Sequence, residues 1–121
     1  MKTEIDKNEI TKFVEEVVKR FNPEKVILFG SYAYGKQEEG SDVDILLIME
    51  TKATLSKEVE IRMKVERSFP LDLIVMDPRE IEKRIKRGDT FFQKVLESGE
   101  VLYEKRDTFL HTRCARPGVE E

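Results

Sequence analysis

Cysteine and histidine each occur once in this chain, as Cys114 and His111. One cysteine excludes an internal disulfide and fits a reducing compartment. One histidine leaves Ser31 without an obvious His- or Cys-based relay to activate it, which argues against a hydrolase. No apolar run approaches the roughly 20 residues of a membrane helix, and the charged start MKTEIDKNE lacks the apolar core of a signal peptide. A cytoplasmic protein with no membrane attachment is expected. A cationic surplus is also missing: 22 Lys and Arg stand against 25 Asp and Glu, a formal net charge of -3. Neutralising a phosphate backbone needs an excess of Lys and Arg on one face, so nucleic acid is an unfavoured partner. No internal repeat is present, and 121 residues suffice for one domain with a core but leave no room for a second.

What is present alternates between two periods. Ile10, Phe13, Val14, Val17, Val18 and Phe21 recur at helical spacing and predict an amphipathic helix that packs on a sheet, ended by Asn22-Pro23. The apolar runs KVILF (25–29) and VDILLIM (43–49) predict strands. Leu55, Val59 and Met63, with Ile61 and Val65, mark a helix running to about Ser68, and Pro70 separates it from a third strand, LDLIVM (71–76). Asp77, Pro78 and Glu80 read as an N-cap and capping box for the next helix. Gly88 breaks that helix, and Asp89 caps a shorter one carrying Phe91, Phe92, Val95 and Leu96, which Gly99 stops. A last short strand is expected at 101–103. Helices alternating with strands predict an α/β layer fold.

The chemistry concentrates between the first two strands. Gly30-Ser31 is followed, after ten residues, by Asp42-Val43-Asp44. Aspartates two apart on a strand leave the same face of the sheet. Two carboxylates converging on one point repel, and a divalent cation with a preference for hard oxygen ligands, such as Mg²⁺, removes the conflict. The plain alternative is a solvated acidic turn beside a strand. Asp72 interrupts the third apolar strand, where a charge is costly unless paired or metal-bound. If that strand neighbours the one carrying Asp44, the carboxylates come within about 5 Å at Cβ. An edge-strand aspartate facing water is the alternative there.

The spacing Gly-Ser, ten residues, Asp-x-Asp, written here as GSYAYG and SDVDILL, resembles the signature of the DNA polymerase beta-like nucleotidyltransferase superfamily, in its minimal nucleotidyltransferase (MNT) branch. The resemblance runs from about Lys7 to Glu104, so residues 1–105 are expected to form the nucleotidyltransferase domain and 106–121 a loosely held tail. It implies a small mixed β-sheet backed by helices, with the site on an open sheet face. It implies that Asp42 and Asp44 hold two Mg²⁺ ions, that Asp72 completes the acceptor-side ion, and that Gly30 and Ser31 receive the triphosphate of ATP. Members commonly carry Arg where this chain has Tyr34, which removes one phosphate-facing charge; Lys36 is a candidate replacement.

Larger relatives grip their acceptor with an added helical domain that this chain lacks. Stand-alone minimal members resemble antitoxins whose partner is a HEPN toxin, and the resemblance implies transfer of AMP from ATP to a toxin tyrosine. The alternatives are a non-catalytic antitoxin that works by occlusion, favoured by Tyr34, and nucleotidyl transfer to a small molecule or RNA. A homo-oligomer is left open. Phe91-Phe92, Met63 and Met76 read more readily as core than as a base-stacking platform or ligand contact. The cationic run Arg79, Lys83, Arg84, Lys86 and Arg87 reads as a solvated face sooner than a phosphate contact.

Overall fold

The computed structural model describes residues 7–35 and 42–105. The expected tail at 106–121 and the Lys36 position lie outside the described residues. The elements run α1 (Lys7–Phe21), β1 (Lys25–Phe29), α2 (Ser31–Tyr34), β2 (Val43–Ile48), α3 (Thr54–Lys64), β3 (Leu71–Met76), α4 (Pro78–Lys86), α5 (Thr90–Ser98) and β4 (Glu100–Glu104). Asn22 ends α1 with φ 52, the left-handed conformation that asparagine tolerates better than most residues. The single helical turn α2 was not expected from the sequence, because four residues are too few to show a period.

The strands form one mixed sheet in the order β3-β2-β1-β4. β1 pairs antiparallel with both β2 and β4, and β2 pairs parallel with β3 through α3 as the crossover. Helices cover both faces. On one, Ile10, Phe13, Val14 and Val17 of α1 and Ile61 of α3 pack against Val26, Leu28, Val43, Ile45, Leu47, Leu73 and Val75. On the other, Ile81 of α4 and Phe92 and Val95 of α5 pack against Ile27, Phe29, Leu46, Ile48 and Met76. Each large apolar side chain so buried stabilises the fold by about 1.5–3 kcal/mol relative to exposure. Both sheet faces are therefore largely covered by described helices.

Helix α3 departs from the expected packing. Leu55, Val59 and Met63 are 75%, 54% and 81% exposed, while Ile61 is fully buried. Leu55, Val59 and Met63 lie four residues apart and do share a face, but Ile61 lies on another, and that face is the one that meets β3. The helix also stops at Lys64, four residues short of Ser68, after which Val65 and Phe69 turn into the core as extended chain. The pair Phe91-Phe92 divides as well: Phe92 is 6% exposed and Phe91 46%. The N-caps stand as expected, with Asp77 accepting from the Arg79 N–H at 2.8 Å and Asp89 from the Phe91 N–H at 2.9 Å. All five cations of the α4 run are exposed, Arg79 pairing with Asp77 and Arg84 with Glu80 and Asp89. Among the described residues no helix is long and apolar enough to cross a membrane.

Candidate active site

The register of the sheet brings two aspartates together. Asp44 on β2 is the direct parallel partner of Asp72 on β3, and on its other side it opposes Phe29 at the end of β1. Asp44 alternates with Leu46 and Ile48, and Asp72 with Ile74 and Met76, so both carboxylates leave the face that α4 and α5 cover further along. At the acidic end Asp44 is half-buried while Asp72 and Asp42 are exposed. Asp42 stands one residue before β2 begins, so it joins the site from a loop end rather than from the strand expected.

Gly30 closes the site from the β1 side. Its φ of 77 lies in the region that side chains avoid, and a Cβ there would stand 2.0 Å from Oδ2 of Asp44. The glycine is thus required twice, by backbone conformation and by the carboxylate seated against it. Its carbonyl accepts from the N–H groups of Ala33 and Tyr34 at 3.1 and 3.2 Å, which folds Ser31–Tyr34 into the turn α2. Tyr32 points into the core and is 8% exposed, fixing that turn, while Tyr34 is 41% exposed. Ser31, at the first position of α2, is half-buried.

Electrostatics mark the same spot. Burial, then the charges of Asp72 and Asp42, and then a hydrogen bond shared with Asp72 push the Asp44 carboxyl up to about 6. The site is therefore short of positive charge. Asp77 behaves in the opposite way: burial pushes it up, but bonds from the Arg79 side chain, the Arg79 N–H and the Thr51 N–H together hold it below the usual carboxylate range. Asp77 is a structural cap with its partners in place, and Asp44 is a carboxylate set among other carboxylates.

Among the described residues no three His, Cys, Asp or Glu side chains are gathered tightly enough to hold an ion as they stand. The fit to a divalent cation rests instead on the donor chemistry. Asp72 and Asp42 both raise the Asp44 carboxyl by their charge, a conflict that a cation would relieve, and Gly30 sets no side chain against Asp44. Of the residues read from the sequence, Asp44, Asp72 and Gly30 meet directly, Asp42 joins them electrostatically, and Ser31 follows Gly30 on the same rim.

The sequence reading did not place Phe29 beside the acidic pair, and it read Phe91 sooner as core than as a base-stacking platform. Phe29 is the cross-strand neighbour of Asp44, and Phe91 stands edge-on to Phe29 with ring centroids 5.7 Å apart. Strand register, which no single segment displays, decides the first. For the second the spacing does not decide, because residue 91 lies four before Val95 and residue 92 three before it, both within reach of one face.

Comparison with known proteins bears on the family and the fold. A Methanocaldococcus jannaschii protein named as a candidate protein adenylyltransferase is 31% identical over 96 residues, covering 78% of this chain and 94% of that protein. A second protein of that organism, named in the same way, is 39% identical over 64 residues, or 52% of this chain and 64% of that protein. The crystal structure of a candidate nucleotidyltransferase from Sulfolobus solfataricus superposes with a TM-score of 0.57 at 25% identity, covering 84% of this chain and 83% of that one. Residues 8–108, nearly all of the described fold with both strands of the acidic site, match the family described as polymerase beta, nucleotidyltransferase, and the chain belongs to it.

Proposed function

We propose that the protein is a Mg²⁺-dependent adenylyltransferase that moves AMP from ATP to a hydroxyl on a partner protein, most specifically a tyrosine of a HEPN toxin, which it thereby silences as an antitoxin. The observation that carries the chemistry is the seating of Asp44 between Gly30 and Asp72, a glycine-floored acidic site where burial, then the charges of Asp72 and Asp42, push the Asp44 carboxyl up to about 6. The protein acceptor is supported by the names of the two M. jannaschii relatives. The HEPN partner and the tyrosine rest on the resemblance of GSYAYG and SDVDILL to stand-alone minimal nucleotidyltransferases.

The acceptor oxygen attacks the α-phosphorus, a P–O bond forms, and the bond from that phosphorus to the bridging oxygen breaks, releasing pyrophosphate. Asp42, Asp44 and Asp72 are the residues that would hold two Mg²⁺ ions, which supply positive charge to the attacking and leaving oxygens. Asp72, exposed on the outer strand β3, is the residue assigned to the acceptor side, where it takes the hydroxyl proton. Gly30 lets the triphosphate approach the backbone, and the Ser31 hydroxyl donates to the β- or γ-phosphate.

A second reading, occlusion of the partner without transfer, draws on Tyr34, an exposed neutral side chain at the position where Arg is common. One experiment separates the two. Asp42→Asn with Asp44→Asn is expected to keep the fold and partner binding but to abolish transfer of label from ATP carrying it at the α-phosphate, and neutralisation in cells with it. Full protection by the double variant would establish occlusion and remove the enzymatic reading.

A further inference from the structure

Phe91 is an anomaly beside the acidic site. Its neighbour Phe92 is 6% exposed in the core under α5, yet Phe91 leaves 46% of its surface in solvent. The ring is not loose. The Phe91 backbone N–H donates to the Asp89 carboxylate at 2.9 Å, and the ring stands nearly perpendicular to Phe29, at 5.7 Å and 85°, and to Phe92, at 5.0 Å and 78°. Two perpendicular neighbours clamp an aromatic ring and leave it outward-facing surface on which a flat group can lie.

The position of that surface is set by the sheet. At its far end α5 packs on β1 so closely that a Cβ at Gly99 would stand 2.5 Å from Cγ2 of Ile27. Its first turn lies at Phe29, the residue paired with Asp44. Across the sheet the order is Asp72 on β3, Asp44 on β2 and Phe29 on β1, so Phe91 and Asp72 flank Asp44 on opposite sides. Gly30 and Ser31 continue directly from Phe29. The Phe91 side is thus the triphosphate side, and Asp72 marks the acceptor side.

We propose that Phe91 is the platform on which the base of the bound nucleoside triphosphate stacks. This rests on the nucleotide reading of the site given above and adds a base-binding residue to it. Stacking on a phenyl face needs no hydrogen-bond pattern, so the contact binds a purine without selecting adenine by its edge. The same surface accounts for why a large apolar side chain is tolerated in solvent here: the ligand covers it.

The test uses the full chain and two probes, Mg-ATP and Mg-tripolyphosphate, the second carrying the phosphates without a base. Phe91→Leu keeps apolar bulk against Phe29 and removes the π-face; Phe91→Trp keeps a face and enlarges it. The Leu variant is expected to weaken ATP binding by about tenfold or more, the scale of base–aromatic stacking, and to bind tripolyphosphate as wild type does. The Trp variant is expected to bind ATP at least as tightly as wild type. An unchanged ATP affinity in Phe91→Leu, or an equal loss for both probes, would overturn the platform, the second result assigning Phe91 to packing alone. Wild-type protein that binds neither probe would overturn the nucleotide reading and the platform together.

Discussion

Gly30 and Asp44 occupy one another's space: the carboxylate oxygen Oδ2 lies where a Cβ on residue 30 would stand, 2.0 Å from it. The strand end and the Asp44 carboxylate are therefore fitted as a pair. Gly30→Ala must displace Asp44 and also hold a side chain at φ 77. Gly35 supplies the control, with φ 71 and nothing within 4 Å of an added Cβ. Both changes should lower stability by about 1–3 kcal/mol through backbone strain. Only Gly30→Ala should also abolish adenylyl transfer, as read by label incorporation at matched folded fractions. Equal activity in the two variants would refute the pairing.

The Asp44 carboxyl, raised from 3.8 to about 6 in the folded protein, makes stability depend on pH in a defined direction. The native state binds this proton more tightly than the unfolded chain. The stabilising contribution is complete below the unfolded value and is lost as pH rises through about 6. A rise of that size corresponds to about 3 kcal/mol, and solvent screening at this partly open position leaves about 1 kcal/mol. In chelator, urea unfolding of Asp44→Asn at pH 7 should show a gain of about that size over wild type, shrinking toward zero near pH 4. A gain that is the same at both pH values would remove the electrostatic account.

Asp72→Asn tests the division of labour between the carboxylates. Loss of a proton acceptor costs about a hundredfold or more in rate. Transfer should fall by that factor while Mg-ATP binding, measured by calorimetry, stays within about threefold, since an amide at an exposed strand position keeps its shape. Weakened ATP binding would place Asp72 on the nucleotide side, and unchanged transfer would return it to a solvated strand residue.

Asp77 ties two elements together, accepting from Arg79 N–H at the start of α4 and from Thr51 N–H at 3.1 Å in the loop after β2. Asp77→Ala should cost about 1–2 kcal/mol, the range for a lost N-cap. Its pKa is depressed on folding, so its contribution is present above the unfolded value and fades as pH falls through the folded one, opposite in sign to Asp44. Thermal melts of wild type and Asp77→Ala should therefore converge in acid. A constant gap down to low pH would contradict the assigned bonds.

On α3 the buried and exposed apolar residues should separate cleanly. Ile61→Ala opens a cavity at a fully buried position and should cost about 2–5 kcal/mol. Replacing Leu55, Val59 and Met63 together with serine should change stability far less, by about 0.5 kcal/mol or so per site, since all three are exposed. Chemical denaturation of the two variants checks this, and a triple variant less stable than Ile61→Ala would show the stripe to be covered in the native protein.

Local chemistry was legible in the sequence wherever one segment contains the whole cause. The first helix, the four strands, the caps Asp77 and Asp89, and the Gly-Ser to Asp-x-Asp spacing each depend on residues within a turn or two of each other. What tertiary structure alone decided is which faces meet. The parallel pairing of β2 with β3 set Asp72 beside Asp44, and the antiparallel pairing of β1 with β2 set Phe29 on its other flank. Neither register is written in any one strand, because a shift by one residue flips every side chain to the other face and only the packed helices choose between them. The same holds for α3, whose sequence offered Leu55, Val59 and Met63 as one apolar face and Ile61 as another; contact with β3 buried Ile61. For Phe91 and Phe92, adjacent and chemically identical, the helix turn of about 100° per residue placed one ring in the core and the other beside the acidic site.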